Sequence, residues 1–580
     1  MSTTTQSPAG ARVPVCPLDE LKHDRFKVLS AEGRTILVLL EEGRVFALDN
    51  RCPHMGFPLH RGTVRDGILT CHWHHAKFDM ASGCTLDPFA DDAASFATDV
   101  RDGVVYVDPR PIERDPLTHW TQKLQEGLEQ NLPLVLAKSV IGLDEAGASA
   151  DILARASLFG VTNRAAGWSA GLTILTAMAN VLPDLDPTDR RLALYHGLVH
   201  VARSTANQPP DFDLEPLATT DTSAERYVDW FRRFVDSRSA DAAERTLRTA
   251  IRAGVPRDAV ATMVFGACTD HRYMNEGHTL DFANKAFELL DQLGWGQAEV
   301  VLPSLVPNLV SASREEESSS WRHPVNIPAL LDDVYARLDS LVAAGDGRLA
   351  GWSGHQALAE TILDGEPDAA LDAMCGLVRD GVPLVELSSA VAYAAARRLV
   401  HFHVSNEFGD WDTVHHTFTY ANAVDRAMRR APSTLLARGI VDAAMSVYLE
   451  RFLNVPKQPA PGPTGRQVTT ADLLASFDVQ GRVDESAQIV VDLLAEKKHG
   501  DVVKALGHAL LREDAGFHQF QMYEAGLRQF KRFAGSALGD HVLVGVTRFL
   551  TAHSPTVRAT GQTFHTAERL HRGEALHGDA

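Results

Sequence analysis

Two textures of apolar and polar positions divide the chain. From Arg12 to about Asp108, short β-branched and apolar runs recur: Phe26–Leu29, Thr35–Leu40, Arg44–Leu48, Ile68–Cys71 and Val104–Val107. Gly33, Gly43, Gly67, Gly83 and Gly103 punctuate them at turn positions, so the stretch reads as antiparallel strands joined by tight turns. Beyond about Pro116, apolar residues return every three or four positions over long windows, as in Leu172–Leu182 and Leu435–Leu449, which is the helical period. Breaks rich in Pro, Ser, Asp or Gly fall at 207–223, 311–324 and 455–464. The predicted organisation is multidomain: a tail over 1–10, an all-β domain over 11–110, a linker over 111–135, an all-α domain over 136–570 and a tail over 571–580.

The helical part repeats itself. Arg252–Pro256 leads into a helix and then His278–Asn284, and Arg379–Pro383 leads into a helix and then His416–Asn422. The second member of each pair shares the pattern His-Thr-x-x-aromatic-Ala-Asn. A weaker copy runs from Lys498–Val502 to His518–Ala525, and a degenerate one begins at Leu158–Gly160, echoing Val264–Gly266. These separations exceed those of the common helix-pair repeats.

Composition narrows the function classes. Fifty-six basic against 75 acidic residues leave a net charge of −19, which disfavours nucleic acid and anionic membranes as partners. Six cysteines in 580 residues are too few for a disulfide framework, and Cys16, Cys84, Cys268 and Cys375 read as reduced, packed thiols. Neither a signal peptide nor an 18-residue apolar run is present, so the expectation is a cytoplasmic protein without a membrane span.

The chemistry concentrates in two loops, Cys52–Gly56 and Cys71–Phe78. Each offers one thiolate and one imidazole: Cys52 with His54, and Cys71 with His74. A [2Fe–2S] cluster with two sulfurs on one iron and two imidazoles on the other needs that set. A Cys2His2 zinc knuckle is the competing reading, but zinc sites usually pair like ligands within one loop.

These loops resemble those of the Rieske ferredoxin and oxygenase family, C-P-H-x-G and C-P-W-H-G-x-x-F. His72 and His75 depart from the usual Pro and Gly, and His75 must hold a backbone shape that Gly adopts more easily. The resemblance covers under a fifth of the chain and implies an antiparallel β sandwich with Cys52, His54, Cys71 and His74 as metal and cofactor ligands. Phe57 and Trp73 stand where respiratory members carry a disulfide, and Ala76 and Phe78 stand where those members donate hydroxyl hydrogen bonds. The potential is therefore expected at the low end of the range, roughly −150 mV.

In the helical part the candidate pocket residues are His196, His200, His271, Glu276, His278, His416 and His518. His196 and His200 share a helix face at i, i+4, and the repeat places His278, His416 and His518 equivalently. They could enclose an additional non-haem iron or a small-molecule substrate. Each could equally be a hydrogen-bonded packing residue. Asp412-x2-His415 has no further His at the Rieske oxygenase distance, Glu568-x2-His571 lies near the end, and no dinucleotide fingerprint opens a helix. The scattered histidines weakly resemble the questin-oxidase-like proteins, without a motif that carries it.

The expected function is a Rieske-type oxidoreductase. It would relay single electrons from an external reductase or ferredoxin to a site in the helical domain, for oxygen-dependent chemistry. The alternative is an electron-transfer protein or redox sensor whose helical domain docks a partner and has no catalytic site of its own.

Overall fold

The structure is a computed structural model that describes residues 12–164, 166–218, 222–574 and 576; the expected tail over 1–10 lies outside them, as do 575 and 577–580. The chain forms two compact units, one ending at Ile152 and taking back Gln562 onward, the other Leu153–Gly561.

Among the described residues, the first unit is built on nine strands in three antiparallel sheets, each of three strands. β1 (Val13–Pro17), β9 (Val104–Pro111) and β8 (Phe96–Arg101) form one, in that order. β2 (Phe26–Ala31), β3 (Arg34–Glu41) and β4 (Arg44–Asp49) form a meander whose turns use Glu32-Gly33 and Glu42-Gly43, all at positive φ. Alternation along β3 splits its side chains between two cores: Ile36 and Val38 pack with Val105 and Val107, while Leu37 and Leu39 pack with Leu69 and Phe78. β5 (Thr63–Arg65), β6 (Ile68–Thr70) and β7 (Lys77–Asp79) make the third sheet. One cysteine–histidine loop follows β4, and the other joins β6 to β7.

The stretch expected as a linker carries a helix, Pro116–Glu129, whose start is set by Pro116 in the first turn and by the Asp115 carboxylate accepting from the Thr118 N–H at 2.9 Å. It packs on helix Pro133–Glu145 through Leu124, Leu128, Val135 and Leu136, all buried. The compact unit thus runs past the expected boundary at 110. His571 ends the last helix, and its Nε2 lies 2.7 Å from Glu145.

The second unit is helical throughout its regular structure. Among the described residues, breaks lie at 206–218 with 222–223, at 312–326 and at 453–469, where composition predicted them, with short 3₁₀ turns inside the second. The turns at Arg252–Pro256 and Arg379–Pro383 are built alike: Gly254 and Gly381 take positive φ, the next N–H closes on the carbonyl five residues back, and Pro256 or Pro383 precedes the next helix. Three helices carry the histidines of interest: His278–Leu293, Phe408–Arg430 and Phe517–Arg532. The middle one packs against both others. No helix of the described residues is long and apolar enough to cross a membrane.

Candidate functional site

The first loop is closed by the Cys52 N–H donating to the Phe57 carbonyl at 2.8 Å and the Gly56 N–H donating to the Cys52 carbonyl at 2.7 Å. In the second, the Cys71 N–H donates to the Ala76 carbonyl at 2.8 Å. Gly56 has φ +75° and His75 φ +61°, so His75 does hold the left-handed shape, which an L residue adopts at a cost of roughly 1–2 kcal/mol. Cys52 and Cys71 are buried, with their thiols within hydrogen-bonding reach of each other, and Cys71 is drawn down to about 6, first by Cys52 and then by the Trp73 and His74 N–H groups. His54 and His74 stack edge to face with centroids 4.6 Å apart. His54 is lowered to about 4 by burial and by the nearby His74 and Lys138, and its buried Nδ1 has no hydrogen-bond partner.

A pair of adjacent thiols beside a pair of adjacent imidazoles, one with a buried ring nitrogen that has no partner, is the donor set the cluster requires. The four residues present therefore fit it. Phe57 and Trp73 lie against each other with centroids 5.9 Å apart. Buried Lys138 donates to the Pro53 carbonyl, placing a cation beside the first loop; nothing in the spacing of the sequence pointed to it. Of the other cysteines, Cys16, Cys268 and Cys375 are buried free thiols, while Cys84 sits exposed on a turn instead of packed.

In the helical unit, His278, His416 and His518 each bring a ring nitrogen within 4.8 Å of the other two. The Nε2 atoms of His416 and His518 are 3.0 Å apart, while their Nδ1 atoms meet carboxylates: His416 with Glu276 at 2.9 Å and His518 with Asp412 at 3.0 Å. A carboxylate accepting from Nδ1 holds a proton there, and each ring turns its Nε2 into the same space. His278 is lowered to about 3 by burial first and then by His416 and His518, and its Nδ1 is buried without a partner. Three imidazoles converging in this way could hold a divalent metal.

The segment before His278 is wound tightly. Tyr273, Asn275 and Glu276 have φ of +45° to +55°, and Gly277 has +88°. A run of left-handed residues stores strain of the kind that gathers at functional sites, and here it delivers Glu276 to His416. At Gly277 a Cβ would lie 2.6 Å from the Tyr420 Cβ, so glycine is required by both φ and space.

The remaining candidates lie elsewhere. His196 Nε2 meets the Leu511 carbonyl at 2.8 Å, and His196 and His200 share one face, as expected, packed on Phe520. His271 is paired with Glu316 at 2.8 Å. Asp412 was passed over as a partner within the cluster, although it stands one helical turn before His416 and so faces the same side. His415 lies next to the triad, its ring centroid 4.8 Å from that of His518, with both nitrogens unpartnered.

A family model described as "Rieske [2Fe-2S] domain" matches residues 11–97. Human apoptosis-inducing factor 3 is 30% identical over 94 residues, which cover 16% of this chain and 16% of that protein. The 4beta-methylsterol monooxygenase of Methylococcus capsulatus is 44% identical over 43 residues, 7% of this chain and 12% of that enzyme. The chain thus spans only a small fraction of the curated relatives it matches. Among solved structures, the ferredoxin of carbazole 1,9a-dioxygenase from Nocardioides aromaticivorans IC177 is 23% identical with a TM-score of 0.17, covering 17% of this chain and all of that one. With two thiols and two imidazoles converging from loops of the matching pattern, residues 11–97 are a Rieske [2Fe-2S] domain, and that domain binds a [2Fe-2S] cluster.

Proposed function

We propose that this chain is an oxidoreductase with two metal centres. Cys52, His54, Cys71 and His74 ligate the cluster, and His278, His416 and His518 hold a mononuclear non-haem iron that uses the electrons in oxygen-dependent chemistry. The cluster supplies one-electron transfer at a potential tuned by its imidazole ligands. Around it, the buried thiols are kept from water, and Lys138 stabilises the added electron through the Pro53 peptide. An external reductase or ferredoxin supplies the electrons, in keeping with the ferredoxin and oxygenase names among the similar proteins.

The observation that carries the second centre is the convergence of three histidine ring nitrogens within 4.8 Å of one another, with the Nδ1 atoms of His416 and His518 set against Glu276 and Asp412. Two Nε2 atoms at 3.0 Å must share either a proton or a metal ion. Glu276 and Asp412 are the outer-shell carboxylates that orient ligating histidines. Imidazole ligands suit iron, copper, zinc and nickel, and one-electron supply favours iron over redox-inert zinc.

Metal and acid-labile sulfide counting on the purified full chain tests this. The expected result is the cluster's two irons and two sulfides plus one further metal, with His278→Ala and His416→Ala losing only the last. Wild-type protein with two irons and no other metal, or variants that keep full metal and full activity, would reduce the chain to an electron carrier.

A further inference from the structure

A cavity of about 190 Å³ opens onto His416 and Glu276. Three carboxylates line it, those of Glu276, Glu315 and Glu450, whereas His416 is its only potentially basic lining residue. Leu449 and Leu453 form an apolar wall. Glu450 is 3% exposed, and neither carboxylate oxygen has a hydrogen-bond partner. Its nearest cation, the Arg398 Nε, stands off at 3.9 Å. A buried carboxylate with both oxygens unsatisfied is costly and calls for a donor.

The Arg398 guanidinium and the Thr417 hydroxyl answer that need at Glu450 only in part. Burial pushes its carboxyl up to about 8, with Arg398 and the Thr417 hydroxyl only partly opposing. Glu315 is likewise raised, by burial first and then by Glu276, Asp442 and Glu316 against the pull of Arg272. Glu276 is already committed to His416. Beside the hydroxyls of Tyr273, Thr413, Thr417 and Ser446 the cavity thus sets three carboxyl groups and an apolar face, a lining complemented by a ligand that carries hydrogen-bond donors and a positive charge on a compact hydrocarbon body, since a nearby cation holds a buried carboxyl in its ionised form. A dry cavity of roughly 150 Å³ accommodates benzene, so the space suits a six-membered ring bearing one small substituent.

We infer that this cavity binds a small primary amine, whose ammonium is received by Glu450 and Glu315 and whose hydrocarbon part rests on Leu449 and Leu453. The inference deepens the reading of the histidine cluster as the catalytic centre, because it names the substrate class presented to His416.

Calorimetric titration of the full-length protein with cyclohexylamine, cyclohexanol and cyclohexanecarboxylate at one pH tests it. Cyclohexylamine is expected to bind at least tenfold more tightly than cyclohexanol, with no binding of the carboxylate. Glu450→Gln should weaken the amine at least tenfold and leave the alcohol unchanged. Equal affinities for amine and alcohol, preference for the carboxylate, absence of amine binding, or an unaffected Glu450→Gln variant each overturn the inference. If Glu450→Gln does not fold, Glu315→Gln takes its place, and the ligand series on the unaltered protein decides alone. Metal content measured on the same samples separates the two readings. Amine binding to protein whose His416→Ala variant keeps all its metal would sink the second centre and leave the amine site. A metal lost in that variant with no amine bound would do the reverse.

Discussion

Replacing Lys285 with Met removes the cation that ties two of the histidine helices together. Lys285 lies seven residues after His278 and is 1% exposed, with its ammonium 3.0 Å from Glu288 and 2.6 Å from Glu524, which belongs to the His518 helix. Burial lowers the Lys285 pKa, but Glu288, Glu524 and Asp281 outweigh it and raise it overall. Burial in turn raises Glu288, and Lys285, Arg528 and Arg426 overcome this to hold it at about 2. Removing one partner of a buried ion pair costs about 3–5 kcal/mol, because the other charge is left uncompensated. Arg528 remains 2.9 Å from Glu524 and Arg426 3.2 Å from Glu288, so about 3 kcal/mol, the lower end, is expected.

Urea unfolding of the full chain, followed by far-ultraviolet circular dichroism, reads the helical unit directly. The pH dependence gives a second check. Glu288 ionises more easily folded than unfolded, so its contribution is complete above its ordinary value of 4.5 and is lost as pH falls toward about 2. Without Lys285 the carboxyl takes up a proton at higher pH, so the gap between variant and wild type is widest at pH 7 and narrows through the acid range. A loss below about 1 kcal/mol, the scale of a solvated surface pair, or a gap that widens on acidification, would refute the claim that this lysine neutralises two buried carboxylates.

Four further outcomes follow from the residues around the two sites. Glu276→Gln keeps the size of the side chain but removes the charge on the His416 Nδ1, and should weaken the second metal about 10–100-fold, measured by competition with a chelator, while the cluster's iron and sulfide stay constant. Gly277→Ala forces a Cβ onto Tyr420 at a left-handed position and should cost at least about 1–2 kcal/mol in chemical denaturation; a neutral substitution would mean the turn is not as drawn. The cluster should titrate near the low end of its range, roughly −150 mV, because the buried Ala76 and Phe78 side chains have no donor to offer. Lys138→Met should move the potential further negative with an unchanged resonance spectrum, and a positive shift would contradict the role given to the ammonium beside Pro53.

Local chemistry decided the cluster loops and the helical texture. A thiolate and an imidazole two or three residues apart can meet one cluster only if each loop turns sharply, and Gly56 and His75 do turn. The three-to-four spacing of apolar residues set helices, and Pro-, Ser- and Gly-rich stretches broke them where expected, since both signals act within a few residues. The repeated His-Thr-x-x-aromatic-Ala-Asn pattern pointed to His278 and His416, and the weaker copy to His518. Only packing could show that their nitrogens converge, because the helices that carry them are over a hundred residues apart along the chain. His196 and His200 had the better local spacing, yet their surroundings give them a carbonyl and an aromatic ring. Asp412 read as an ordinary charged residue until the fold set it against His518, and Glu450 and Lys138 did so until the fold buried them; burial, a tertiary property, is what turns a common charge into one that needs a partner.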